Sequence, residues 1–221
     1  MISKGKRLTL LGFLLVVIDQ VIKIMVKTNM TLGEHFSVFG DWFQILFVEN
    51  EGMAFGMKFG GDIGKLCLSV FRIVFFILLC WWISRLVKRG TASDPALKDS
   101  VHDTAWLASR KVPTGVLVGL TLIAAGALGN IIDCMFYGLA FSASTPFDIA
   151  AFGGSYAPFM FGKVVDMFYF PLWTWPDWMP LIGGDIFFQP VFNFADSCVS
   201  VGAVYLLLFQ YKFFASEDSG A

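Results

Sequence analysis

The chain has 221 residues, 57% of them hydrophobic and only 15% charged, with a mean hydropathy of +0.70. A soluble domain carries about a quarter charged residues, so water is not the main solvent of this protein. A formal net charge of -1 excludes a broad basic surface for nucleic acid, and the information lies in where the charges sit.

A helix crossing a hydrocarbon core about 30 Å thick needs roughly 20 apolar residues. Four stretches reach that length: 8–26, 66–87, 112–136 and 196–214. Lys4, Lys6 and Arg7 before the first give it the outline of a secretory signal, but Asp19 and Lys23 occupy the place of a cleavage site, so it reads as a retained helix. Asp19 and Lys23 are four residues apart, share a helix face and can neutralise each other as a structural ion pair.

Residues 27–65 form the first outer connection. Its stretch 42–49 is rich in aromatic and branched side chains and reads as a strand of a small sheet. Asn50-Glu51-Gly52-Met53-Ala54-Phe55-Gly56 follows, and its glycines permit a tight turn. The second span contains Arg72, a guanidinium that needs a carboxylate or a lipid headgroup as partner. The polar stretch 91–109 reads as an exposed loop.

The third span carries Gly126-Ala127-Leu128-Gly129, small residues that let helices approach closely, and ends in Asn130 and Asp133, which share a face at i,i+3. Residues 137–195 are apolar enough to tempt a hydropathy plot. Pro146, Pro158, Pro171, Pro176, Pro180 and Pro190 rule out an unbroken helix there, so the segment is a long extramembrane loop with Trp173, Trp175 and Trp178 at the membrane interface. Within it, Val164-Val165-Asp166-Met167-Phe168 sets one carboxylate among apolar residues. Asn193 then serves as N-cap of the fourth span, with Asp196 at N3.

Lysine and arginine cluster at the N-terminus and between spans two and three, which sets both termini in the cytoplasm; the long loop carries Lys163 alone. Asp133, Asp166 and Asp196, with Asn50, Asn130 and Asn193, therefore map to one depth at the outer boundary of the membrane. Unrelated helix caps do not converge in this way. Cys67, Cys80, Cys134 and Cys198 show no metal spacing and read as buried, reduced thiols. His35 and His102 fall on opposite sides of the membrane, so neither a His-rich zinc site nor a Ser-His pair can be assembled, and no metal or cofactor is implied.

These motifs, in this order and across all four spans, resemble the bacterial lipoprotein signal peptidase (signal peptidase II) family. That family shows an Asp-x-x-x-Lys, an Asn-x-Gly-x-Ala-Phe, a Gly-Asn-x-Ile-Asp-Arg, a Val-Val-Asp-Phe and a Phe-Asn-x-Ala-Asp. The resemblance implies an all-α membrane protein: a four-transmembrane-helix bundle with a small extracytoplasmic β-cradle and the long extracytoplasmic loop between helices three and four. It implies Asp166 and Asp196 as the catalytic pair of an aspartic endopeptidase, supported by Asp19, Lys23, Asn50, Gly52, Asn130, Asp133 and Asn193. It also implies a diacylglyceryl-modified prolipoprotein as substrate, cut on the amino side of the lipidated cysteine, with membrane lipid as surroundings and a monomer in the bacterial inner membrane. Two departures stand out: Cys134 replaces the arginine after Asp133, and Met167 replaces the phenylalanine after Asp166. Arg72 is the expected substitute for the missing arginine, close to Asp133. Asp196 at a helix N-terminus is the expected base and Asp166, between apolar neighbours, the expected acid. The competing expectation is a small proton-coupled transporter using the same carboxylates as a relay, although no carboxylate lies in the inner half of any span.

Overall fold

The computed structural model describes residues 3–51, 61–91 and 112–215. Gly52, the rest of its turn and most of the polar connection after the second span lie outside the described residues.

The first three expected spans fall on long helices. Helix α1, Lys4–Asn29, starts where the Ser3 hydroxyl accepts from the Lys6 amide at 3.4 Å, and stops at Met30, whose backbone is extended. Helix α2 is Gly61–Thr91. Helix α3, Thr114–Ile132, follows Pro113 and runs into a π-helical turn, Asp133–Tyr137, and a last short piece, α4, Gly138–Ala140. Among the described residues three segments, Lys4–Asn29, Gly61–Lys88 and Thr114–Ala140, are long and apolar enough to cross a membrane, so the chain is a multi-pass membrane protein.

The expected fourth span differs. It is helical only over α5, Phe194–Phe209, and a short α6, Tyr211–Phe214, because the Gln210 backbone leaves the helical region. The 16 residues of α5 rise about 24 Å, less than the other three.

Helix α3 is the centre of the bundle, packed against α5, α1 and α2. Its small residues permit this. A Cβ on Gly119 would stand 2.6 Å from Leu206 Cδ2, and one on Gly129 would stand 2.5 Å from Asp19 Oδ2. By contrast α2 touches mainly α3 and turns the rest of its surface outward. Cys67 is therefore exposed and Cys80 only half-buried, against the expectation that all four thiols are buried.

The expected strand is β2, Phe43–Asn50. It is the middle of an antiparallel sheet with β1, His35–Phe39, and β3, Val164–Tyr169. The long loop is thus not irregular throughout. Besides β3 it holds a hairpin of β4, Trp173–Thr174, and β5, Ile186–Phe187. Residues 164–167 of β3 are buried on both faces, so they show no alternation of polar and apolar side chains.

Two apolar cores result. One joins the helices around Leu79, Leu86, Val116, Leu120 and Leu206; the other joins helix ends to the sheet around Val26, Phe47, Tyr137, Val165 and Met167. Along both α1 and α3 the polar residues of interest fall between these cores. The π-helical turn fits there because its carbonyls find outside partners: Cys134 accepts from Gly162 and Met135 from Met160, while Gly138, just after the turn, accepts from Tyr156.

Candidate active site

Helices α1, α3 with its π-helical turn, and α5 join strands β2 and β3 to bring the site together. On α1, Asp19 and Lys23 are both almost fully buried, and Lys23 uses all three donors of its ammonium group. It meets Asp19 Oδ2 at 3.0 Å, Asp133 Oδ2 at 2.8 Å and Asn130 Oδ1 at 2.8 Å. The expected ion pair of Asp19 and Lys23 is therefore one side of a larger cluster. Asp19 Oδ1 also accepts from the Ala195 amide at 2.9 Å, tying α1 to the start of α5, and Asp133 Oδ2 accepts from the Val165 amide at 3.3 Å, tying α3 to β3.

Helix α5 begins with a capping box. Asn193 Oδ1 accepts from the Asp196 amide at 2.9 Å, and Asp196 Oδ2 accepts from the Asn193 amide at 3.4 Å. Two amide side chains then link the two carboxylates. Asn193 Nδ2 donates to Asp166 Oδ1 at 2.6 Å and to Asn130 Oδ1 at 3.0 Å, while Asn130 Nδ2 donates to Asp196 Oδ1 at 2.7 Å. Asn50, at the end of β2, also hydrogen-bonds the Asp166 carboxylate.

The two carboxylates differ in setting. Asp166 is buried, whereas Asp196 is half-buried. Burial pushes the Asp166 carboxyl up to about 7 and the Asp196 charge adds to this, outweighing the hydrogen bonds from Asn193 and Asn50 and the more distant Lys23. Asp166 is thus the carboxyl of the pair that resists ionisation. Among the described residues no group of three or more His, Cys, Asp or Glu side chains is arranged to hold a metal ion.

Asp19, Lys23, Asn50, Asn130, Asp133, Asp166, Asn193 and Asp196 converge in one network; Gly52 lies outside the described residues. Arg72 reaches the neighbourhood by a different contact: its Nη1 lies 3.5 Å from the thiol of Cys134, beside Asp133.

Gln20 was missing from the sequence reading. Its amide donates to Asp19 Oδ2 at 3.1 Å, Asp133 Oδ1 at 2.9 Å and the Gly129 carbonyl at 3.2 Å, and it accepts from the Tyr137 hydroxyl at 3.2 Å. The available signal was its i,i+3 spacing to Lys23, which places both on one face.

A second buried cluster was also missed. The Lys27 ammonium pairs with Glu49 Oε1, meets the Ser144 hydroxyl at 2.9 Å and lies 5.0 Å from the centre of the Tyr156 ring. Lys163 approaches the other Glu49 oxygen at 3.4 Å. This joins α1 to β2 one residue before Asn50, and to the loop one residue before β3. The Ser144 hydroxyl donates to Glu49 at 2.8 Å, so neither it nor the ion-paired Lys27 is free for nucleophilic chemistry. Asp19, Lys23 and Lys27 form a single i, i+4, i+8 stripe on α1 that serves both clusters.

The family model described as "Signal peptidase (SPase) II" matches residues 11–97 and 101–212. A protein named lipoprotein signal peptidase from Porphyromonas gingivalis is 45% identical over 213 residues, covering 94% of this chain and 84% of that protein. Another of that name, from Amoebophilus asiaticus, is 34% identical over 203 residues, covering 90% and 75%. Among solved structures, a bacterial membrane enzyme obtained by the in meso method at 2.3 Å shares the fold with a TM-score of 0.56 at 21% identity, over 98% of this chain and 94% of that one. The match spans nearly the whole chain, and with it the chain belongs to the signal peptidase II family of proteases.

Proposed function

We propose that the chain is an intramembrane aspartic endopeptidase that removes the signal peptide from diacylglyceryl-modified prolipoproteins, cutting on the amino side of the lipidated cysteine. The observation that carries this reading is the unequal pair of Asp166 and Asp196, one buried and holding a proton near neutrality, one more open, joined through Asn193 and Asn130.

Two such carboxyls hydrolyse an amide without a covalent intermediate. Asp196 takes a proton from water as the water oxygen bonds to the scissile carbonyl carbon. Asp166 gives its proton to the amide nitrogen as the carbon–nitrogen bond breaks. Return of the proton from Asp196 to Asp166 restores the pair and leaves a carboxylic acid and an amine, each transfer contributing on the order of a hundredfold or more. Asn50 and Asn193 orient Asp166, Asn130 orients Asp196, and Asp19, Lys23 and Asp133 hold the elements that carry them. Arg72 supplies positive charge near the third motif in place of an arginine at Cys134.

The basic residues of the N-terminus and of the connection after α2 orient both termini toward the cytoplasm of an inner membrane, with the site at the extracytoplasmic face and α5 with α6 as the fourth crossing. Substrate acyl chains stay in lipid, each buried CH₂ favourable by about 0.8 kcal/mol, while the peptide reaches the polar residues. All residues named belong to one chain, so a monomer suffices.

The test is incubation of the purified protein with a diacylglyceryl-modified prolipoprotein, beside Asp166→Asn and Asp196→Asn. Release of the leader peptide by the unaltered protein alone is expected. Cleavage retained in either variant, or absent from the unaltered protein, rejects the reading.

A further inference from the structure

Residues 171–190 leave the end of β3 and return just before Asn193. The stem is held by the Phe168–Phe192 bridge, with amide-to-carbonyl distances of 2.7 and 3.1 Å, and by the stacked rings of Phe170 and Phe192 with centres 5.7 Å apart. Beyond it the hairpin is ordered by its own contacts. Trp173 stacks on Phe187 at 3.9 Å, Trp175 meets both rings edge-on, and the Trp175 amide donates to the Asp185 carbonyl at 2.9 Å.

Among the described residues none covers the outer surface at its tip. Trp178 is 79% exposed and Leu181 101%, and Leu172, Ile182 and Phe188 are exposed as well. Leu181 and Phe188 adopt φ of 71° and 65°, a left-handed conformation that is unfavourable by roughly 1–2 kcal/mol for a residue with a Cβ. Strain is thus maintained where it turns bulky apolar side chains outward. Between 171 and 190 there is no lysine or arginine, only Asp177 and Asp185. Such a surface is unfavourable in water and, with two carboxylates and no cation, has no attraction for anionic headgroups, but its tryptophan, leucine and phenylalanine side chains suit the boundary between headgroups and acyl chains. That boundary is close in the chain, because the hairpin ends three residues before Asn193, the N-cap of the apolar helix α5.

We infer that the 171–190 hairpin inserts its tip, Trp178 and Leu181 foremost, into the interfacial layer of the bilayer and so anchors the site to the membrane surface. Asp166 lies five residues before residue 171 and Asn193 three after residue 190, so the anchor fixes both at one height relative to lipid. The inference rests on membrane residence and not on the catalytic reading.

The test uses the full chain in phosphatidylcholine nanodiscs whose acyl chains carry bromine near the headgroup. The emission of Trp178 is obtained as the difference between the protein and its Trp178→Phe variant. Bromine should lower that emission roughly twofold or more, with little quenching by aqueous iodide, as for an interfacial ring. Leu181→Asp should restore access of iodide to Trp178. Emission of Trp178 that iodide quenches and bromine leaves unchanged overturns the inference, and so does protection from iodide that appears only at high protein-to-nanodisc ratio, which assigns the face to a second protein. Neither readout depends on cleavage.

Discussion

The two buried polar clusters sit side by side on α1 and are built to opposite charge plans. The cluster around Lys27 sets two ammonium groups against the Glu49 carboxylate, with the Ser144 hydroxyl and the Tyr156 ring completing the shell. The cluster around Lys23 gathers Asp19, Asp133, Asp166 and Asp196 about that ammonium. In the first, each ionised oxygen faces a cation. In the second, acid is in excess, and burial resolves the excess by keeping a proton on Asp166. Both occupy the same low-dielectric interior, so it is the balance of charge that separates them, and under the proposed function the imbalance is what lets the second move protons.

Asp166→Asn and Asp196→Asn should lower kcat by about 10²–10⁴-fold without lowering the melting temperature. A loss of that size from Lys27→Met in a protein of unchanged stability would erase the contrast. Lys27→Met should instead act on folding, by about 3–5 kcal/mol, because it breaks a buried pair. Thermal unfolding in detergent reads this, and Lys27→Met with Glu49→Gln should recover much of it.

Asn193→Ala straddles the two plans. It removes the α5 cap, worth about 1 kcal/mol, and the amide that binds Asp166, so a fall in kcat of roughly tenfold or more should accompany a small drop in melting temperature. A change in stability with full turnover would demote it to a cap.

The smallest effect is in pH. With Asp166 as acid, kcat should fall as pH rises through about 7, roughly twofold at the midpoint. The linkage has a definite sign: the folded state holds the Asp166 proton that the unfolded chain releases near 3.8, so folding is progressively disfavoured as pH rises from there to about 7 and levels off beyond. The stability of Asp166→Asn relative to the unaltered protein should grow over that window. A flat difference would mean that Asp166 ionises in the fold as it does in water.

Much of this was readable from the chain alone. Apolar length marked the three long helices and overran the shorter α5, the branched and aromatic run 42–49 marked β2, and Asn193 with Asp196 marked the capping box. The strand around Asp166 is not legible in the sequence, since a segment buried on both faces has no period-2 alternation to read. The Lys27–Glu49–Ser144 contact was beyond reach for another reason: its members lie 22 and 95 residues apart, and nothing local signals a pairing that only the sheet creates. Gln20 was overlooked because a neutral amide in a span raises no charge to be explained, although it makes as many contacts as the carboxylates beside it.

The stripe of Asp19, Lys23 and Lys27 makes α1 a keyed shaft. One residue inserted between Lys23 and Lys27 would turn everything after it by about 100° and carry it 1.5 Å along the axis, withdrawing Lys27 from Glu49 while leaving Asp19 and Lys23 seated. An insertion before Asp19 would leave all three in mutual phase and misalign only the apolar residues upstream. Length changes in this helix should therefore be tolerated near its N-terminus and rejected beyond residue 19, a polarity set by three side chains and not by hydrophobicity.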